Sequence, residues 1–396
     1  MPKPKLIRIT TVPVSLRTLL KGQHRFFSEN GFEVIGVSSA GDVLDEVSQN
    51  EGIPTVAIEM SRKISPFKDL KSLWQFYRFC KKEKPDMVHS HTPKAGIVGM
   101  LGAKLAGVPV RIHTVAGLPL METTGLKRKM LIAVEKLTYA CSTGVYPNSK
   151  GLYDFILKQK LSRKDKLKII GNGSSNGVDT QFFSTENVSA ETKENLKKEL
   201  GIKKEDFVFV FAGRLVSDKG INELVEAFSE VSGSKYQVAG REVKLLLVGP
   251  EERELDPLKP ETLTEIEENP DIISVGYQRD VRPYYAVADA LVFPSYREGF
   301  PNVVLQSGAM GLPAIVSDIN GCNEIITDQK NGLIIPPKDS PALSGAMHKM
   351  IADTTLYQYL KSNARPMITA RYQQQEVWNA LLDEYRQLLK TNQKKS

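Results

Sequence analysis

FPSYREGFPNVVLQSGAMGLPAIVSD, residues 293–318, reads as a strand, a loop, a helix and a second strand. The first strand ends at Ser295, and the loop carries Glu298, Gly299, Phe300, Pro301 and Asn302. A helix starts near Asn302, and Gly311 and Pro313 end it before the next apolar run. Short, continuous apolar strands joined through helices are βαβ units, whose parallel strands are buried on both faces. The alternation extends in both directions. Around this stretch lie FVFVFAGR, VKLLLVGP, IISVGY, ALVFPS, PAIVSD and GLIIPP. Earlier in the chain lie KLIRIT, EVIGVS, TVAIEM, DMVHSH, VRIHTV, GVYPNS and LKIIGNG. Two such series predict two Rossmann-like, doubly wound α/β domains facing a cleft. A polar segment at roughly 176–205 separates them. The expected divisions are 1–185, 186–370 and a C-terminal helix and tail, 371–396. In that last part Val377, Leu381, Leu382, Tyr385, Leu388 and Leu389 recur near helical spacing, and TNQKKS is expected to fray.

The 396 residues exceed one compact core, and 41% hydrophobic with 25% charged residues is ordinary for a soluble globular chain. No apolar run approaches the roughly 20 residues of a membrane span. MPKPKLIRIT lacks the layout of a signal peptide, so a cytoplasmic protein is expected. Cys80, Cys141 and Cys322 are far apart and show no metal-type spacing. Charge is uneven: residues 1–185 hold 28 Lys+Arg and 15 Asp+Glu, and the remainder 25 and 31. A basic first half implies an anionic partner, phosphate, nucleic acid or lipid headgroups, or else a surface charge that only keeps the domain soluble.

FAGRLVSDKGINELVEAF, residues 211–228, is the second informative stretch. Gly213 and Arg214 end a strand, and Lys219 and Gly220 are read as opening a helix. Both cations then sit at a strand's carboxyl end, where Arg forks onto phosphate and Lys acts as a point charge. Glu298 can accept hydrogen bonds from sugar hydroxyls, Gly299 permits close backbone approach, and the first amides of the helix at Asn302 suit an anion. LLLVGPEE ends a strand at Gly249, and SVGYQRD places Gly276 and Tyr277 at another strand end, where a flat base can lie. No Asp-x-Asp triplet and no metal-ligand cluster are present, so no metal and no cofactor are expected.

Residues 293–318 resemble the nucleotide-sugar signature of glycosyltransferase family 4, retaining enzymes of the GT-B fold. The family pattern is Glu, seven residues, Glu; here it is Glu298, seven residues, Gln306. The resemblance implies that Glu298 contacts the donor sugar, Gln306 the ribose hydroxyls, and Arg214 and Lys219 the phosphates. It assigns the base to the loop at Gly276 and Tyr277. It also implies a UDP-linked donor, a glycan or polyprenyl-diphosphate-linked acceptor in capsule or O-antigen synthesis, and a last helix that returns to the first domain. Departing β-phosphate taking the acceptor proton is the mechanism implied.

In the first half, HSHTPKAGIVGMLGAKLAGVPVRIHTVAGLP spans 89–119. His89 and His91 share a strand face. They are read, with His113, as cleft residues or as core histidines. Family members often have TVHG where this chain has TVAG, so Ala116 stands in place of a His. Ser15, His91 and His113 are the first-domain cleft candidates. GLKRKMLIAVEKLTYA, residues 125–140, sets Lys127, Arg128 and Lys129 beside Leu126, Met130, Leu131, Val134 and Leu137, a candidate for peripheral contact with the anionic inner membrane. Two other readings are a nucleotide-sugar epimerase of similar architecture and a basic nucleic-acid-binding protein. The second lacks interleaved aromatic and basic stacking residues, so no nucleic acid is expected. A nicotinamide oxidoreductase would need a Gly-x-Gly-x-x-Gly turn after its first strand, which is missing.

Overall fold

The computed structural model describes residues 3–61, 65–121, 123–233, 242–252, 254 and 256–393. They form two compact units, Met1–Gly177 with Gln374–Ser396, and Val178–Gln373. The chain therefore crosses twice, at 177/178 and 373/374, against the expected divisions at 185/186 and 370/371.

The first unit contains β1 (Lys5–Ile9), α1 (Pro13–Leu19), α2 (Gln23–Glu29), β2 (Glu33–Ser38), α3 (Asp42–Glu51), β3 (Thr55–Ala57) and α4 (Pro66–Glu83). It continues with β4 (Met87–Ser90), α5 (Pro93–Ala106), β5 (Val110–Val115), α6 (Gly125–Cys141), β6 (Gly144–Pro147) and α7 (Lys150–Lys158). Its parallel sheet has the order β3-β2-β1-β4-β5-β6. Pro13, Pro66 and Pro93 start helices, where their missing N–H is harmless, and Gly52 and Gly107 stop helices in the left-handed conformation.

The second unit contains α8 (Ala190–Glu199), β7 (Phe207–Ala212), α9 (Ile221–Gly233), β8 (Val243–Val248), α10 (Pro260–Glu268), β9 (Ile272–Ser274) and α11 (Arg282–Val287). Then follow β10 (Ala290–Phe293), α12 (Asn302–Ala309), β11 (Ala314–Ser317), α13 (Cys322–Ile325), β12 (Gly332–Ile335), α14 (Ser340–Ala352) and α15 (Thr354–Tyr372). Its sheet order is β12-β11-β10-β7-β8-β9, the same winding as in the first unit. All six residues of β7 and all six of β8 are buried, which explains the continuous rather than alternating apolar runs.

α16 (Gln374–Gln393) belongs to the first unit. Leu381, Leu382 and Tyr385 join one cluster with Leu6, Phe27 and Ile112. The Trp378 indole donates to Asn176 Oδ1 at 2.6 Å, and the Tyr146 hydroxyl donates to Glu384 at 2.7 Å. The expected return of the last helix is thus built from packing and from buried polar contacts. Helix continues through Gln393 rather than fraying at Thr391; residues 394–396 lie outside those described.

One expected strand does not form. LKIIGNG makes a single bridge, Leu167 with Val145, in which Lys168 N donates to Val145 O at 3.2 Å. The turn at Gly171–Gly173 then takes the chain away before a ladder develops.

The face of the first sheet beneath α2 and α16 is unusually polar. Arg8, in mid-β1, and His24, on α2, are 0% exposed, and the Arg8 guanidinium meets His91 Nε2 at 3.1 Å and the ring of Phe27 at 5.2 Å. His89 bonds Thr114 Oγ1 at 2.7 Å and also the Tyr385 hydroxyl. Burial, and then the charge of Arg8, hold His24 and His89 well below the ordinary imidazole value, and burial does the same at His91. His113, on the opposite face, is pushed by burial to about 4. These groups are neutral when folded but protonate near 6.5 when unfolded, so the unfolded chain binds more protons between those values. Stability is therefore expected to be level above pH 6.5 and to fall toward pH 4, by up to about 1.4 kcal/mol per pH unit for each such histidine. Urea denaturation at stepped pH reads this, and a flat midpoint through that window would contradict it.

Candidate active site

β7 and β10 are neighbours in the second sheet, yet the chain leaves β7 toward β8 and β10 toward β11. Such a switch point opens a crevice at the carboxyl ends of the two strands, the usual ligand position in a doubly wound sheet. The two informative sequence stretches both end there. From β7 the chain passes Gly213 and Arg214, forms a single 3-10 turn at Ser217–Lys219, and enters α9 after Gly220. Lys219 thus precedes the helix instead of opening it. From β10, which stops at Phe293 rather than Ser295, the loop carries Glu298 to α12.

Lys219 Nζ and Glu298 Oε1 form an ion pair across 79 residues of sequence, with side chains only 17% and 16% exposed. The Ser295 hydroxyl donates to the same Glu298 oxygen at 3.0 Å. The ammonium also lies 5.8 Å from the ring centre of Phe293. The loop backbone is fixed from β11's far end: Asn320 Nδ2 donates to the carbonyls of Glu298 at 2.9 Å and Gly299 at 2.8 Å. Tyr296 N donates to the Asp218 carbonyl at 2.9 Å, and Arg297 pairs with the Asp218 carboxylate at 2.9 Å. The two motif loops also touch at Gly220, where a Cβ would fall on the Pro294 carbonyl. The result is a positioned carboxylate with a neutralising ammonium that has N–H donors beyond the one given to Glu298.

The neighbouring strand ends add backbone. Gly213 N bonds Val248 O, and Gly249 N bonds Gly276 O, both at 2.9 Å. Tyr277 beside them is 70% exposed. Arg214 is exposed and pairs with Glu252 at 2.8 Å, so its partner differs from that of Lys219. Phe300 is buried against Tyr372, their rings 5.4 Å apart, and Pro301 is buried with it. Asn302 is the exposed first residue of α12, and Gln306 is half-buried one turn later.

The models of two domain families match this chain: glycosyl transferase 4-like domain over residues 17–173 and glycosyl transferases group 1 over 192–367. It is 31% identical over 395 residues to a capsular polysaccharide biosynthesis glycosyltransferase of Staphylococcus aureus, covering all of both chains. The chain is a group 1, family 4 glycosyltransferase. A second relative, the UDP-Gal:α-D-GlcNAc-diphosphoundecaprenol α-1,3-galactosyltransferase of Escherichia coli, is 31% identical over 80% of this chain and 78% of its own. The solved structure of Anabaena HepE with UDP and glucose superposes with a TM-score of 0.81 at 18% identity, covering 97% of this chain and 100% of that one, which shows the GT-B fold.

In this glycosyltransferase the first-unit candidates separate. Ser15 lies on α1, just beyond β1's carboxyl end, and is half-buried. His91 is buried beside Arg8 and lines a small cavity with Thr114, Tyr146 and Asn148. His113 is a core residue: it bonds the Ser90 hydroxyl at 2.8 Å and packs against Gly96 of α5, where a Cβ would be 2.6 Å from its ring. Its position on the opposite face from His91 follows from strand parity. Sequence reading missed Asn320 as the clamp on the Glu298 loop. Its one signal is the polar SDIN run directly after a buried strand.

Gly249 has φ +150°, and a Cβ there would fall on the carbonyl oxygen of Gly213. Gly249→Ala is therefore expected to destabilise the second unit by about 2–5 kcal/mol, combining backbone strain with a forced separation of two strand ends. A denaturant midpoint equal to that of the unaltered chain would show that the two loops do not approach so closely.

Proposed function

We propose that this glycosyltransferase moves a sugar, with retention, from a UDP-sugar to a glycan or polyprenyl-diphosphate-linked acceptor in bacterial surface polysaccharide synthesis. The observation that carries the reading is the Lys219–Glu298 pair at the β7/β10 switch point. The relative from Escherichia coli takes a UDP-linked galactose and a diphosphoundecaprenol acceptor, and the solved neighbour holds UDP and glucose, which support the choice of substrates.

Each residue has a chemical task in this reading. Glu298 accepts hydrogen bonds from hydroxyls of the donor sugar, held in place by Ser295 and by Asn320 on its backbone. Lys219 reaches the diphosphate while still neutralising Glu298. Arg214 exchanges its exposed partner Glu252 for phosphate, a small cost because exposed pairs contribute little. The first amides of α12, at Asn302 and beyond, point their dipole at the same charge, and Gln306 bonds the ribose. The base lies over the backbone at Gly249 and beside Tyr277, and Phe300 with Pro301 shapes the turn around Gly299.

In the transfer step the bond from the anomeric carbon to the β-phosphate oxygen breaks and a bond to the acceptor hydroxyl oxygen forms on the same face. The acceptor proton passes to the departing β-phosphate, which needs no separate general base and is consistent with Ala116 in the TVAG segment. Charge accumulates on the diphosphate as it leaves, and Lys219 and Arg214 stabilise it there.

Contact with an anionic membrane is the second part of the reading. On α6, Leu126, Met130 and Leu137 are 84%, 39% and 46% exposed, and Lys127 and Lys129 are exposed beside them. Arg128 is set apart, since its guanidinium bonds the Leu120 carbonyl at 2.6 Å, and Leu131 packs into the core.

The deciding experiment is a screen of nucleotide sugars, reading release of nucleoside diphosphate with and without a polyprenyl-diphosphate-linked acceptor. With the active donor in hand, Glu298→Gln and Lys219→Ala are each expected to lower turnover by about a hundredfold or more. Wild-type turnover in either variant, shown folded by circular dichroism, would displace the site from this crevice. EDTA is expected to leave transfer unchanged, because Arg214 and Lys219 supply the phosphate charge. Loss of transfer in EDTA that manganese restores would count against that assignment.

A further inference from the structure

α4 carries an apolar edge that nothing in the reaction uses. Phe67, Leu70 and Trp74 are 91%, 64% and 54% exposed. Their spacing of three and four places them on one stripe of the helix. The core-facing residues of the same helix are Ser72, Phe76 and Cys80, so the stripe lies off the packed face. A patch of two aromatic rings and a leucine this open is uncommon on a protein surface and marks an interaction site.

The chemistry around the stripe selects its partner. α4 holds five cations, Lys68, Lys71, Arg78, Lys81 and Lys82, against two carboxylates. Both carboxylates are engaged with lysines of other elements, Asp69 with Lys94 and Glu83 with Lys5. The Arg78 guanidinium lies 4.7 Å from the ring centre of Trp74, so charge and aromatic surface are presented together. Aromatic and aliphatic side chains flanked by Lys and Arg are what the headgroup–acyl boundary of an anionic bilayer accepts.

Topology places this stripe beside the exposed residues of α6. In a parallel sheet every connecting helix begins at the carboxyl edge, and α4 and α6 follow β3 and β5. Phe67, Leu70 and Trp74 occupy the first half of α4, and Leu126 and Met130 the first half of α6. α5 lies between these helices and packs on both. The two apolar groups therefore mark the same edge of the first sheet.

We propose that Phe67, Leu70 and Trp74 insert into the interface of an anionic membrane together with Leu126 and Met130, so that the carboxyl edge of the first sheet faces the lipid headgroups. The proposal rests on the membrane contact inferred above for α6 and adds a second, aromatic foothold to it. Two separated footholds fix an orientation, which one helix cannot. The orientation sets a polyprenyl-linked diphosphate, confined to the headgroup layer, against the edge of the sheet where doubly wound folds bind ligands.

The test uses the full chain with vesicles of phosphatidylglycerol and phosphatidylcholine mixed, and of phosphatidylcholine alone. Wild type is expected to sediment with the anionic vesicles, and Phe67→Ala/Leu70→Ala/Trp74→Ala to partition at least tenfold less at the same salt. The triple variant is expected to keep wild-type turnover on a water-soluble acceptor, since its residues are exposed and lie on the first unit's helix layer. Trp74 is one of two tryptophans, and the other, Trp378, is held against Phe26. Lipids brominated high on the acyl chain are expected to quench fluorescence in wild type, and Trp74→Phe to lose that quenching while still binding. If wild type binds, and the triple variant binds equally with no quenching, the α4 foothold is overturned and the α6 contact stands. If wild type binds neither vesicle, both fall. A wild-type dimer that the triple variant converts to monomer, with unchanged lipid binding, would show that a second copy covers the edge, and this too overturns the proposal.

Discussion

Placing a lysine from one βα loop against a glutamate from another is the constraint on which the second unit turns. It requires β7 and β10 to be adjacent while their following helices diverge, and the winding β12-β11-β10-β7-β8-β9 provides this. Adjacency brings Gly220 onto the Pro294 carbonyl and the Tyr296 amide onto the Asp218 carbonyl, so the loops have almost no freedom left. The ion pair itself is a poor source of stability, because desolvating two charges offsets most of their attraction. Its placement makes sense as function: a carboxylate held by an ammonium, a serine and an asparagine-clamped backbone is organised before any ligand arrives.

The first unit has the same winding with opposite chemistry at its switch point. Where β1 and β4 diverge, Thr11 and Thr92 bond through their hydroxyls at 2.7 Å, and no glycine-rich turn is present. Beneath α2 and α16, a permanently charged guanidinium sits among neutral imidazoles. Arg8 Nε and Nη1, both ring nitrogens of His24 and Nδ1 of His91 have no hydrogen-bond partner among the described residues. Buried polar atoms of this kind are ordinarily met by internal water. The polar layer ties β1, β4, α2 and α16 together, and Asn176 extends it to the first chain crossing: it receives the Gln23 amide at 2.7 Å and the Trp378 indole at 2.6 Å. The last helix is thus specified by particular hydrogen bonds as well as by apolar packing.

Twelve of the thirteen apolar runs read as strands form strands, because parallel sheets bury both faces and so leave short continuous apolar runs bounded by turn residues. LKIIGNG fails for a reason the run itself does not contain: it follows α7 to the far side of β6 and makes only one bridge there. Glu298 and Lys219 were legible because each stands beside a glycine in the loop that follows a buried strand, a local signature. Asn320 and Arg8 were not legible. Asn320 acts through two carbonyls of a loop 21 and 22 residues earlier, and Arg8 looks in sequence like one more cation near the chain start. Likewise, strand parity set His91 and His113 on opposite faces, but only the packing of Gly96 against the His113 ring shows that it belongs to the core.

Charge divides along the two units more sharply than along the sequence halves. The first unit holds 32 Lys+Arg and 17 Asp+Glu, and the second 21 and 29, or +15 against −8. The unit that holds the Lys219–Glu298 pair is thus the acidic one. The two facts are compatible because they operate at different ranges. Surface charges are screened within about 8 Å at physiological salt, whereas a lysine 17% exposed at the mouth of a crevice is screened far less. In the proposed reading, an acidic exterior does not act against a phosphate held between Lys219 and the amides of α12. The excess of the first unit is placed differently. It lies on helices such as α4 and α6, beside exposed aromatic and aliphatic side chains, where a field of short range acts only on something extended and close, which is the geometry of a membrane surface.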